Sequence, residues 1–145
     1  FVTYLYGKST VILHGDSLCT LDIAYQRFRR FRSISVIRWI YSHLPKQTRL
    51  NIAAKIRQKS QLGNKQKQYQ IMDVEPSAVD NLLAKTGCSL MIHGHTHRPA
   101  IHQLSNGLKR VVVGDWYTQG SVLMVSQNNC HLLQLPFEPH SKSMA

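Results

Sequence analysis

Three histidines, His93, His95 and His97, alternate with Gly94 and Thr96 directly after the apolar run Leu90-Met91-Ile92. In an extended segment, side chains two residues apart share a side, so His95 and His97 are expected to point the same way. Two imidazoles on one side of a strand end can reach one metal ion or two neighbouring ones, and Gly94 lets the backbone come close. Ring nitrogens alone do not choose the metal: zinc, manganese and iron stay open. His14, in His14-Gly15-Asp16, closes a second short apolar run, Val11-Ile12-Leu13. Alone it reads equally as a structural residue or a ligand. Set beside the cluster, it favours a metal site over a set of ordinary polar loop residues. His93, nearest the strand, reads as the residue that orients the loop.

These residues need a sheet to bring them together. Residues 2–6 and 10–13 are β-rich, and Gly7-Lys8-Ser9 between them predicts a hairpin. From Asp22 the period becomes helical. Ile34, Ile37, Tyr41 and Leu44 recur at helical spacing until Pro45, and Gln47 to Lys59 sets Leu50, Ala53, Ala54 and Ile56 near one face. Gln61 to Gln70 is polar and reads as a loop. The stretch 23–70 is thus expected to be a helical insertion. Pro76 suits a helix start and Gly87 a C-cap. A buried strand is expected at 89–93 and further strands at 100–104, 109–113, 121–126 and 130–135, with Asn106-Gly107 and Asn128-Asn129 as turns. The fold class is mixed α/β.

Charge is as unevenly placed as structure. Of 145 residues, 43% are hydrophobic and 17% charged, which suits one globular domain. Lys and Arg number 18 against 7 acids, yet no acid falls between Asp22 and Asp73, where 12 of the basic residues lie. An anionic partner or surface is expected there. Cys19, Cys88 and Cys130 are an odd number without metal-knuckle spacing, which fits a reducing compartment. The apolar run Ile34 to Leu44 is interrupted by Arg38 and is far below the ~20 residues of a spanning helix. Phe1-Val2-Thr3-Tyr4 reads as the middle of a strand, so a longer protein is expected.

His-Gly-Asp followed by Gly-His-x-His, each at a strand end, resembles the last two metal motifs of the calcineurin-like metallophosphoesterases. The likeness extends through His14 to Thr20, Tyr25 to Arg29, Ile71 to Val74, Ile92 to Pro99, Gly114-Asp115-Trp116 and Gly120-Ser121. Within that superfamily these segments resemble the UDP-2,3-diacylglucosamine pyrophosphate hydrolase family. The resemblance implies the C-terminal part of a β-sandwich flanked by helices, filling 1–145. It also implies cleavage of UDP-2,3-diacylglucosamine to 2,3-diacylglucosamine 1-phosphate and UMP in lipid A biosynthesis. Two Mn2+ ions are implied, with His14 and His95 on one and His97 on the other. No side chain acts as nucleophile: water activated by the metals attacks phosphorus. Asp22, Ser60, Asn64, Lys67 and His95 are the implied substrate contacts, and the cytoplasmic face of the inner membrane the implied place of peripheral attachment. The family's Asp-x-His and Gly-Asn-Arg-Asp motifs do not occur in this chain, and Gly114-Asp115 comes too late to supply the bridging carboxylate. The chain alone is therefore expected to be inactive. It is also expected to fold poorly, because the sheet partners of Val11–Leu13 and Leu90–Ile92 would sit partly in a missing half.

In the insertion, Phe28, Phe31, Ile34, Val36, Ile37, Trp39, Ile40 and Tyr41 are too many large apolar groups for one packed face. They line an acyl groove, enter a membrane boundary beside Arg27, Arg29, Arg30, Arg32 and Arg38, or bury against a missing half. Two other functions compete: another metal-dependent phosphodiesterase or nuclease, and a non-enzymatic basic nucleic-acid-binding module. The basic segment interleaves with aliphatics rather than stacking aromatics, which argues against nucleic acid as a partner.

Overall fold

The structure, a computed structural model, describes residues 1–66 and 73–137, and of 61–66 the backbone alone. The chain forms two compact units: Phe1–Leu18 with the chain from Pro76 onward, and Cys19–Glu75.

The first unit is built on a five-stranded sheet of β1 (Val2–Leu5), β2 (Lys8–Leu13), β3 (Leu90–His93), β5 (Lys109–Val112) and β4 (Ala100–Gln103), in that spatial order. β2, β3 and β5 run parallel at its centre, with β1 and β4 antiparallel at the two edges. Every residue of β3 is buried, which is why Leu90-Met91-Ile92 shows no polar alternation: a central parallel strand is covered on both faces. Leu90, Ile92 and Val111 look one way, onto Leu123, Val125, Cys130 and Leu132 of β6 (Gln119–Val125) and β7 (Cys130–Pro136). Those two strands form a separate antiparallel sheet. Met91 and His93 look the other way by the pleat's alternation. α4 (Pro76–Thr86) precedes β3, and its Val79 and Leu83 are buried. It ends at Gly87, φ 64, where the amide of Cys88 reaches back to the carbonyl of Leu83. That six-to-one bond is a Schellman cap, and it needs the left-handed glycine.

Several expectations change. The hairpin turn is Tyr6-Gly7 rather than Gly7-Lys8-Ser9: both residues have positive φ, 49 and 78, the signature of a two-residue type I′ turn. Its twist matches that of the strands, so Lys8 and Ser9 are drawn into β2. The expectation that the sheet partners of Val11–Leu13 and Leu90–Ile92 lie partly outside this chain is overturned as well. β2 is flanked by β1 and β3, and β3 by β2 and β5, all within this chain.

The second unit is helical: α1 (Ile23–Arg32), α2 (Ser35–His43) and α3 (Lys46–Gln66). Asp22 caps α1, its Oδ1 accepting from the amide of Tyr25 at 3.0 Å. α3 runs on through 61–66, which the polar composition had marked as loop. Gln, Leu and Lys are good helix formers, and polarity is not a helix breaker. The rest of that expected loop, 67–70, lies outside the described residues, as does Lys67. Among the described residues no helix is long and apolar enough to cross a membrane.

Candidate metal centre

The ladder between parallel strands continues past their ends. The amide of Gly94 donates to the carbonyl of His14 at 3.0 Å, and that of Val113 to the carbonyl of His93 at 2.8 Å. Three loops therefore leave one edge of the sheet side by side: the one after β2 with His14, the one after β3 with His95 and His97, and the one after β5 with Asp115. Carboxyl ends of parallel strands are where open α/β sheets take their ligands.

His93 anchors this edge. It is 1% exposed, and its Nδ1 lies 2.9 Å from the carbonyl of Gly94, while Nε2 lies 3.3 Å from Nη1 of Arg110. A carbonyl can only accept and a guanidinium can only donate, so the ring is neutral with its proton on Nδ1. It fixes the loop's first turn, the orienting role expected for it. Gly15, φ 108, packs against it: a Cβ there would stand 2.8 Å from His93 Nδ1 and 3.1 Å from the Gly94 carbonyl.

Beyond His93 the chain is not extended. The amide of Thr96 bonds the carbonyl of Gly94 at 2.8 Å, closing a three-residue turn with His95 at its centre, φ 68; His97 follows with φ 54. Positive φ in a residue with a Cβ is strained. The expectation that His95 and His97 share one side through an extended segment fails here, because the turn sends them to different partners. His95 goes to His14, with Nδ1 3.2 Å from His14 Nε2 and the rings edge to face at 71°. His97 goes to Asp115, Nδ1 to Oδ2 at 2.8 Å.

The His14–His95 contact fits a shared cation. Two nitrogens each about 2.1 Å from one ion, at the angles of a tetrahedral or octahedral shell, stand roughly 3.0–3.4 Å apart. The observed 3.2 Å falls within that range. One imidazole nitrogen carries the proton between them, and a divalent ion can take its place. Two nitrogens would be an incomplete ligand set, and among the described residues no three His, Cys, Asp or Glu side chains converge.

The expected substrate residues outside this edge belong to the helical unit. Asp22 is buried as the α1 cap, a role that Asp at the start of a helical run signals. Ser60 is exposed on α3, and Asn64 lies on the same helix. Asp115 is the residue that sequence reasoning set aside, because its order in the chain was wrong for a bridging ligand. Its Gly-Asp-Trp setting was the available signal.

A loop-borne histidine pair at the carboxyl edge of a parallel sheet places the chain among α/β proteins with a ligand site at their strand ends. Comparison with known proteins narrows this. The chain is 77% identical over 133 residues to UDP-2,3-diacylglucosamine hydrolase of Shewanella frigidimarina, covering 92% of this chain and 55% of that protein. Its identity to proteins of the same name is 68% in Shewanella piezotolerans and 65% in Shewanella halifaxensis, each over 92% of this chain and 56% of the relative. No family model matches. The chain is thus highly similar to proteins named UDP-2,3-diacylglucosamine hydrolase over the part it spans, and it spans about half their length.

The packing around His93 yields a test. Gly15→Ala forces a strained φ and a clash onto a buried ring, so stability should fall by about 1–3 kcal/mol, read as a lowered melting temperature. An unchanged melting temperature would show that the loop does not depend on this contact.

Proposed function

We propose that this chain is the C-terminal portion of a manganese-dependent UDP-2,3-diacylglucosamine hydrolase with a calcineurin-like metallophosphoesterase fold, acting in lipid A biosynthesis. One observation carries the reading. Two imidazole nitrogens meet at coordination-edge distance on adjacent strand ends, 3.2 Å apart, in a chain largely identical to proteins of that name. In this reading His14 and His95 hold one manganese and His97 the second, and the carboxylates that offset repulsion between the ions come from the part of the relatives this chain does not span. Such a pair supplies Lewis-acid stabilisation of phosphoryl charge and a nucleophile at neutral pH. The chain's own residues orient that chemistry: His95 also lies against the substrate phosphate, and His93 and Gly15 hold the loop. The products are 2,3-diacylglucosamine 1-phosphate and UMP, and this stretch alone is inactive.

Substrate recognition falls to the helical unit at about 23–70, through Asp22, Ser60, Asn64 and Lys67, the last a point charge for phosphate. No residue of α1 or α2 is buried. Phe31, Val36 and Trp39 are each more than half exposed beside Arg29, Arg30, Arg32 and Arg38. Large apolar groups set among arginines suit acyl chains at an anionic lipid surface. That supports peripheral attachment at the cytoplasmic face of the inner membrane and gives no role to nucleic acid.

The full-length protein should release UMP from UDP-2,3-diacylglucosamine only with manganese or a similar divalent ion. His14→Ala and His95→Ala should each lower turnover by more than the 10–100-fold that losing an outer-shell partner costs, and lower manganese content with it. Cleavage of DNA or of simple phosphodiesters, with none of the diacyl nucleotide, would replace this reading with a general phosphodiesterase.

Separately, the double substitution of Trp39 and Ile40 by Ser should weaken binding to anionic vesicles or raise KM for the diacyl substrate while manganese binding stays unchanged. Equal loss of turnover on a water-soluble phosphodiester would make the helices structural only.

A further inference from the structure

The pairing of His97 with Asp115 needs its own explanation, since both side chains are partly open, 43% and 34% exposed. A pair so exposed to water adds little stability. Its construction is nevertheless specific. Asp115 sits between two residues tied to one buried anchor, Ser121 of β6, which is 7% exposed. The amide of Gly114 donates to Ser121 Oγ at 2.8 Å, and Trp116 Nε1 donates to the Ser121 carbonyl at 3.0 Å. Gly114 is closely packed: a Cβ there would meet the Ser121 side chain at 3.0 Å and Pro99 at 3.4 Å. The carboxylate is thus clamped on both sides along the chain, and Oδ2 is delivered to His97 Nδ1 at 2.8 Å. Tyr117 sets its ring 5.9 Å from the imidazole.

We infer that Asp115 is a positioning residue: it holds His97 in the Nδ1–H tautomer, so that Nε2 keeps the free lone pair and serves as the ligand atom. A carboxylate only accepts, so Nδ1 must carry the proton and the neutral ring can offer only Nε2. Carboxylate partners of this kind orient metal-bound histidines and raise their basicity. The second half of the inference rests on the proposed role of His97 as a manganese ligand; the tautomer does not.

The test uses the full-length protein with nitrogen-15-labelled histidine, metal-free and at alkaline pH, where imidazoles are neutral. Nitrogen–proton correlation spectra, with His97 identified by its loss in His97→Gln, report which nitrogen is protonated. Wild type should show Nδ1–H; Asp115→Ala should release the ring to a mixture, and Asp115→Asn, whose amide oxygen still accepts, should largely restore it. Manganese titration followed by electron paramagnetic resonance should then show about 10–100-fold weaker binding in Asp115→Ala, with a smaller loss in Asp115→Asn. A His97 protonated on Nε2 in wild type, or a tautomer indifferent to Asp115→Ala, overturns the inference. Should the Ala variant not fold, wild type and Asp115→Asn still decide the tautomer. A wild type that binds no manganese overturns the proposed function instead, while the tautomer spectra still judge Asp115.

Discussion

The histidine site depends on one constraint, the parallel register of β2, β3 and β5. Leu13, His93 and Val112 stand in a single row across the sheet, so their strands end level. Parallel strands all release their loops at the same edge, and equal ends bring residues far apart in sequence within reach. His14 and His95, 81 positions apart, meet at 3.2 Å for this reason. Leu90, Ile92 and Val111 hold the row in place by burial against the second sheet. The apolar core and the polar edge are therefore parts of one device.

At that edge order is bought with strain. His95 and His97 both adopt positive φ, and Gly15 occupies a conformation that side chains avoid. Such backbone persists only where its surroundings over-determine it. Buried His93 does so from below, bonded to Gly94 on one side and Arg110 on the other. Ser121 does so from the side, through Gly114 and Trp116. The imidazoles that face outward thus stand on loops braced by part-buried hydrogen bonds, in addition to the contacts His95 makes with His14 and His97 with Asp115. A rigid frame around the histidines is what the proposed phosphoryl chemistry would demand, because misplacement by an ångström is costly.

Much of this was legible in the sequence. The apolar strands were readable from Leu90-Met91-Ile92 and Val11-Ile12-Leu13, and the α4 boundaries from Pro76 and Gly87, because burial and backbone restriction act locally. A histidine motif directly after each apolar strand was legible for the same reason, but only the family resemblance set His14 and His95 together. The tight turn at Gly94–Thr96 was not legible, since nothing in His-Thr-His announces positive φ, and an extended reading put His95 and His97 together. Asp115 was set aside for its order in the chain, and its contact with His97, held in place through Ser121, is one that only tertiary structure makes. The helical course of 61–66 was missed because polar residues suit both loops and solvated helices.

The most direct measurement is a crystal structure of the full-length protein grown with manganese, with the ions located by anomalous scattering at the manganese edge. The account predicts an ion within coordination distance of both His14 Nε2 and His95 Nδ1, replacing the direct contact between them. Manganese bound elsewhere, with His14 and His95 still hydrogen-bonded to each other, would contradict it.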